Sequence, residues 1–405
     1  MKKLFTILIS ALVLLSCSSD DDNNGNNNNN NQNVEAPATY QFTRNGENTV
    51  SYSGQTQRIA MAEELISALK DETRDEASLD AMFAHAEGDQ DFSDPDMLDL
   101  NASSKNVRSK TAGSADYFSS NSTDANAIKA DFDSWISSQV SDVFPNWGNT
   151  AEPGVAGGLQ EFGGGSTRYV NEKGLEYNQA FAKSLTGALM TDQILNNYLS
   201  SAVLDAGDNV TNNDNDVLDD GKDYTTMEHK WDEAFGYLYG LEEDETAPEL
   251  GVDSFLNKYL DKVEGDSDFA GIADEIYDAF KLGRAAIVAK NYTVRDEQVE
   301  ILRESISMII GIRAVYYLQG GKANLGGDWA SAFHDLSEGF GFVYGLQFTR
   351  NTMTDAPYVS KSMVDGYINT LMEGDGFWDL TAETLDQMSE DIAAEFGFTV
   401  DQAAN

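Results

Sequence analysis

Residues 229–241 read HKWDEAFGYLYGL, and residues 334–346 read HDLSEGFGFVYGL. The two segments are identical at seven of thirteen positions and lie 105 residues apart. A phrase that recurs in this way predicts an internal duplication, so we expect two related helical halves that face each other across a pseudo-twofold axis. The repeated helices are expected within about residues 172–245 and 294–350.

Each copy places His, Glu, Gly and Gly at positions i, i+4, i+7 and i+11, which share one stripe of an α-helix. Glycine inside a helix costs about 1 kcal/mol relative to alanine, so these glycines need a physical reason. The natural reason is the close approach of another helix or of a ligand. We therefore predict a close-packing stripe made of Gly236, Gly240, Gly341 and Gly345.

The rest of the chain favours helices as well. Apolar residues recur at helical spacing over residues 58–70 and 125–144, and further helices are predicted at about 175–201, 226–241, 252–263, 269–290, 294–319, 327–346, 360–373 and 379–396. Only six prolines are present, which disfavours a β-fold rich in proline turns. A short hairpin is predicted around Asn45-Gly46. The predicted fold is all-α, a duplicated helical bundle with a short N-terminal β element.

Two polar stretches between helices each allow two interpretations. Residues 154–168 read GVAGGLQEFGGGSTR and lack the Lys-Ser/Thr ending of a P-loop, which leaves a plain loop or a pliable cover over a site. The acidic tract at 205–220 lacks the Gly and the final Glu of an EF-hand loop. A solvated loop is therefore the main interpretation of this tract, and calcium binding is the alternative.

The N terminus resembles a bacterial export signal. Two lysines precede an apolar core of 12 residues, which is too short for a permanent membrane span. Residues 14–17 read LLSC and match a lipobox, so residues 1–16 are predicted to be a signal peptide and Cys17 the lipidated residue. Residues 17–35 are rich in Asn and Asp and predict a flexible tether, followed by one helical domain at 36–405. We expect an outer-membrane lipoprotein, surface-exposed or periplasmic, with an ordinary signal peptide as the alternative.

Charge and cysteine content exclude several classes of function. The chain has 26 Lys and Arg against 69 Asp and Glu, a formal net charge of −43. Such a surface repels the phosphates of nucleic acids and of acidic lipids, and it attracts metal ions or basic ligands. Cys17 is the only cysteine of the chain, which excludes disulfides, thiol catalysis and Cys-based zinc sites.

Two of the three histidines begin the repeated phrase; the third, His85, is predicted to be structural or exposed. Three interpretations of the pairs His229–Glu233 and His334–Glu338 remain open. They are buried pairs that fix helix packing, or metal ligands completed by carboxylates of neighbouring helices, or part of a hydrolase that lacks a visible nucleophile. Their order and spacing differ from the Glu-x-x-His of di-iron bundles and from the His-Glu-x-x-His of metalloproteases.

Residues 227–237, MEHKWDEAFGY, closely resemble the signature of an uncharacterised family of Bacteroidota lipoproteins. Further marks of this family are GLEYNQ at 174–179, KLGRAAI at 281–287 and LSEG at 336–339, so the resemblance covers most of residues 36–405. It implies no established activity. More distantly, the paired His/Glu motifs are similar to imelysin-like proteins, which are associated with bacterial iron uptake. The imelysin motif is Gly-x-His-x-x-Glu, whereas this chain has His-x-x-x-Glu.

Together these features predict a lipoprotein that is anchored in the outer membrane. It is expected to bind iron, zinc or another divalent metal, or a metal-bearing ligand, with His229, Glu233, His334 and Glu338 as the ligating residues. The alternative is a structural or protein-interaction lipoprotein whose His–Glu pairs serve core packing. An enzyme ranks third, and the sequence does not set the oligomeric state.

Overall fold

The computed structural model describes residues 34–93, 99–242 and 244–405. The predicted signal peptide, Cys17 and nearly all of the predicted tether lie outside the described residues. Within these ranges the chain forms fifteen α-helices and two short antiparallel strand pairs. The predicted all-α fold with a short N-terminal β element is confirmed. The described residues include no helix that combines the length and the apolar character needed to cross a bilayer.

The helices and strands follow one another without long structureless connections. The helices are α1 (Ser53–Ala68), α2 (Glu76–Phe83), α3 (Ala115–Phe118), α4 (Ser122–Ser138), α5 (Tyr177–Leu185), α6 (Ser201–Leu204), α7 (Asn209–Asp214), α8 (Thr226–Tyr239), α9 (Leu256–Glu264), α10 (Ile272–Val288), α11 (Tyr292–Asn324), α12 (Trp329–Gly345), α13 (Lys361–Leu371), α14 (Ala382–Phe396) and α15 (Val400–Ala403). The strands are β1 (Thr43–Arg44), β2 (Glu47–Asn48), β3 (Gly157–Gln160) and β4 (Thr167–Val170). Short 3₁₀ turns lie at Leu100–Ala102, Phe144–Asn146, Leu346–Phe348 and Gly376–Asp379. Two segments are π-helical, Gln139–Val143 after α4 and Thr186–Tyr198, which continues α5.

The long helix α11 lies at the centre of the fold. It packs against α10, α12 and α14, and α12 in turn packs against α5. The π-helical continuation of α5 packs against α8. The two helices that carry the repeated phrase, α8 and α12, therefore both lie in the core and not on the surface.

An N-terminal strap, residues 38–52, precedes α1 and contributes to the core. Its strands β1 and β2 pair around Asn45 and Gly46, both of which have positive φ, as a tight hairpin turn requires. The strands are shorter than predicted because the neighbouring aromatic side chains enter the core. Tyr40 is fully buried, stacks on Phe235 at a ring-centroid distance of 3.8 Å, and donates a hydrogen bond of 2.7 Å to Asp232.

A buried ion network lies beneath the strap. The fully buried Arg284 of α10 contacts Asp232 at 3.0 Å and Glu228 at 3.1 Å, both on α8. Arg44 of the strap reaches the same Glu228 at 2.9 Å. Two segments that carry the family resemblance, 227–237 and 281–287, therefore meet in one network that ties the strap, α8 and α10 together. A buried charge left without its partner is costly, so the network specifies how these segments pack.

The glycines of the two motif helices lie where a neighbouring segment approaches closely. A Cβ on Gly236 would lie 2.8 Å from Cγ of Tyr52, and one on Gly341 would lie 2.8 Å from the backbone nitrogen of Ser184. One turn later, a Cβ on Gly240 would lie 3.4 Å from the nitrogen of Thr56. One on Gly345 would lie 3.6 Å from Cα of Gly187. Residue numbers rise together in both contacts, so α8 runs parallel to α1 and α12 runs parallel to α5.

The Gly-rich stretch at 154–168 differs from the plain loop that was the main expectation. It forms most of a β-hairpin in which β3 pairs antiparallel with β4, and both strands lie against α12. Glycine-rich strands show no apolar alternation, which is why the sequence pattern did not reveal them. The acidic tract at 205–220 likewise contains the short helix α7, and α2 was not predicted at all.

Candidate functional site

The first His–Glu pair lies beside a cavity at the start of α8. Thr225 caps this helix through a capping box with Glu228. His229 follows in the first turn, its ring stacked on Tyr224 at 4.7 Å. Its Nδ1 donates a hydrogen bond of 2.9 Å to the carbonyl oxygen of Ser51 in the strap. A carbonyl oxygen can only accept, so Nδ1 carries the proton and Nε2 is left to face Glu233.

Glu233 lies one turn further along α8, with its Oε2 3.9 Å from Nε2 of His229. The carboxylate accepts hydrogen bonds from Lys230 at 2.6 Å and from Gln55 of α1 at 3.1 Å. Burial opposes its charge, but Lys230 and His229 outweigh burial and lower the pKa of the Glu233 carboxyl. For His229 burial prevails and lowers the pKa, so at neutral pH this pair is a carboxylate beside a neutral imidazole.

The cavity beside this pair has a volume of about 620 Å³ and is lined by an unusual excess of positive charge. We call it the basic cavity. Its cationic lining residues are Arg58, Lys105, Lys110, Lys222 and Lys230, and Glu233 is the one carboxylate in the lining. This local charge is opposite to the net charge of −43, from which the sequence analysis expected cationic ligands.

Four of these five cations have no acidic partner. In the part of the chain that the structure describes, only Lys230 among them lies within 4.0 Å of a carboxylate. Arg58 is only 7% exposed, and its guanidinium donates to the backbone oxygens of Asn106 and Gly54. Burial lowers the pKa of Lys110, and repulsion from Arg58 lowers it further. The basic cavity therefore holds like charges that repel one another across a partly desolvated space.

The N-terminal turn of α1 adds to this positive potential. Ser53, Gly54 and Gln55 form that turn and line the basic cavity, and the residue before it, Tyr52, provides no side-chain cap. Cε of Lys105 lies 3.1 Å from the position that a Cβ on Gly54 would take, so the lysine extends across the turn. Backbone N–H groups at a helix start carry partial positive charge, and they favour anions.

The second His–Glu pair has different surroundings. Nδ1 of His334 bonds to a carboxylate oxygen of Glu176 at 2.8 Å, and its Nε2 lies 3.7 Å from Glu338. Glu338 is also paired with Lys183 at 3.4 Å, and that ammonium lies over the ring of Tyr259. Burial opposes the charge of His334, but Glu176 and Glu338 outweigh burial and raise its pKa. Protein groups thus occupy the contacts that the first pair leaves to the basic cavity.

The structure brings the predicted metal ligands together as two separate pairs. His334 and Glu338 do not line the basic cavity. Across residues 34–93, 99–242 and 244–405, no group of three or more His, Cys, Asp or Glu side chains is arranged to hold a metal ion. His85 is buried, and it bonds to Asp91 at 2.6 Å.

Sequence reasoning missed the cations of the basic cavity. Arg58 belongs to α1, Lys105 and Lys110 to the connection before α3, and Lys222 to the connection before α8. Each of them reads alone as an ordinary solvated charge. One signal was available, because 26 basic residues in so acidic a chain make any grouping of them notable, but their grouping depends on the tertiary fold.

Comparisons with known proteins give a family and nothing closer. No curated protein and no solved structure matches the chain. Residues 37–399 match the family described as "Domain of unknown function (DUF4856)". Because this match covers nearly all of the described helical domain, the chain belongs to that family.

Proposed function

We propose that this protein is a binding protein that takes a small anionic ligand into the basic cavity. The observation that carries the proposal is the convergence of Arg58, Lys105, Lys110 and Lys222, none of them ion-paired within the described residues, in a chain with 69 acidic residues. Lysine and arginine that are partly buried normally have an acidic partner. A ligand anion would supply the missing negative charge.

The size of the basic cavity sets the size of the ligand. A volume of about 620 Å³ lies within the range of about 300–1,000 Å³ that is typical of small-molecule sites. The surrounding chain is strongly acidic, and its field repels extended polyanions such as nucleic acids. A small anion avoids most of this repulsion because it is enclosed by the cations, which act at short range.

We infer the location of the protein from residues 1–35, which lie almost entirely outside the described residues. A lysine-led apolar segment and the LLSC lipobox support lipidation at Cys17 and anchoring in the outer membrane, with the helical domain on the surface or in the periplasm. The specific family signature at 227–237 and the distant likeness to imelysin-like proteins are further parts of this proposal. They rest on the sequence alone.

Iron or zinc binding at the His–Glu pairs stays a prediction. The contacts of His334 and Glu338 with Glu176 and Lys183 favour the alternative given by the sequence, a pair that organises packing. The first pair has fewer protein contacts, and the cations around it oppose a divalent metal. The described contacts therefore support an anion more strongly than a metal in the basic cavity.

The test is a calorimetric titration of the purified protein with inorganic phosphate, sulfate and citrate at low ionic strength. We expect at least one of these anions to bind, with an affinity that falls as salt is added. The double variant Arg58→Gln/Lys110→Gln should lose at least tenfold in affinity. Lys70→Gln, which removes an exposed charge outside the basic cavity, should not change it. Failure of all three anions to bind, or equal binding by the double variant, would overturn the proposal.

A further inference from the structure

We infer that the ligand is a hydroxylated organic anion, with its anionic group at the N-terminal turn of α1 and a hydroxyl group on His229 and Glu233. This inference rests on the proposed function and names the chemical class of ligand. It follows from the lining of the basic cavity, where donors of positive charge and hydrogen-bond acceptors occupy different positions.

The anionic group has a defined set of partners. Arg58, Lys105 and Lys110 lie close enough to influence one another, since Arg58 and Lys105 both lower the pKa of Lys110. Lys105 also extends across the first turn of α1 at Gly54. A phosphate or carboxylate here would meet three cations and the backbone N–H groups of a helix start, which are the usual partners of such groups.

The opposite side of the basic cavity presents acceptors. Nδ1 of His229 donates to Ser51, so in the neutral ring Nε2 has a free lone pair. Glu233 beside it is ionised, and its two oxygens already bond to Lys230 and Gln55. Each carboxylate oxygen can accept a second hydrogen bond. Two neighbouring acceptors call for a ligand group that donates.

That donor is a neutral hydroxyl and not an ammonium group. Lys230 already places an ammonium 2.6 Å from Glu233, and Lys110 lies close enough to feel its charge. A second ammonium on the ligand would be repelled by both of them. A hydroxyl donates without adding charge. Ser53 and Asn197, which also line the basic cavity, offer neutral partners for further hydroxyl groups.

Two matched pairs of probes test the inference by calorimetry. Glucose 6-phosphate is compared with cyclohexyl phosphate, and gluconate with hexanoate; the two pairs distinguish a phosphate from a carboxylate as the anionic group. We expect the hydroxylated member of at least one pair to bind about tenfold more tightly than its partner. Glucose, which lacks the anionic group, should bind far more weakly than either member of that pair.

The variant Glu233→Gln separates recognition from structural damage. It removes a negative charge from the basic cavity, so the probe without hydroxyl groups should bind as tightly as before or more tightly. The hydroxylated probe should bind more weakly because the acceptor is impaired. His229→Ala should reduce the preference for hydroxyl groups in the same way. A loss of affinity for both probes in Glu233→Gln would indicate a structural role and would overturn the assignment.

The outcomes distinguish this inference from the function on which it rests. If no anion binds, the proposed function fails. If anions bind equally well with and without hydroxyl groups, and Glu233→Gln changes both alike, the proposed function stands and the hydroxylated class is wrong.

Discussion

The close contact of α12 with α5 makes Gly341→Ala a sharp test of the packing. An alanine Cβ at this position would lie 2.8 Å from the backbone nitrogen of Ser184. Non-bonded heavy atoms prefer separations of about 3.5–4.0 Å, so the substitution forces an overlap of about 0.7 Å or more. Because the atom it meets belongs to a helix backbone, no side-chain rotation can relieve the overlap.

The expected loss of stability follows from two opposing effects. Overpacking costs about 1–3 kcal/mol, and a contact with helix backbone belongs at the upper end of that range. Alanine in place of glycine returns about 1 kcal/mol of helix propensity. The free energy of unfolding of Gly341→Ala should therefore fall by about 2 kcal/mol, taking overpacking at 3 and propensity at 1.

Gly366 of α13 provides the matched control. It also lies inside a helix, but it is exposed, and a Cβ there would meet nothing within 4 Å. Gly366→Ala should therefore gain about 1 kcal/mol from propensity alone, which puts the two variants about 3 kcal/mol apart. Urea denaturation followed by circular dichroism measures both. A Gly341→Ala variant as stable as Gly366→Ala would show that α5 and α12 do not approach as described.

Two further predictions concern ionisable groups. In an NMR titration, the pKa of His229 should lie below the ordinary value of 6.5 because burial dominates, and that of His334 above it because Glu176 and Glu338 outweigh burial. Glu176→Gln should lower the pKa of His334, and the opposite order of the two histidines would contradict the assigned contacts. Burial raises the pKa of Asp253 to about 7, so the folded protein holds this proton more tightly than the unfolded chain and loses stability as pH rises from about 4 to 7. Asp253→Asn should melt at a higher temperature than the parent at pH 8 and show a weaker fall over that range, whereas an unchanged pH profile would refute this role.

The helices could be read from the sequence because their signal is local. Residues 226–241 and 327–346 were predicted as helices, and the structure has them at Thr226–Tyr239 and Trp329–Gly345. Apolar residues at helical spacing, with a capping residue before them, specify such a segment without knowledge of its neighbours. Strands β3 and β4 lack such a signal, since their pairing depends on each other and on α12.

The candidate site could be read only in part. The repeated phrase singled out His229 and His334, but it could not show that one contacts the backbone of Ser51 and the other the carboxylate of Glu176. These partners come from segments more than 150 residues away in sequence. Identical motifs therefore acquire different chemistry from their tertiary neighbours, and the positive charge beside the first one has the same origin.

The N-terminal strap also has a consequence for the order of folding. The backbone nitrogen of Tyr40 bonds to Tyr277, 237 residues later, and its hydroxyl bonds to Asp232, 192 residues later. The strap leaves the ribosome first, yet its partners are among the last parts of the core to be made, and closing so long a loop is slow. We therefore expect the strap to dock after α8 and α10 have formed. Pulse-labelling hydrogen exchange should show protection of its amides after those of the two helices, and simultaneous protection would refute this order.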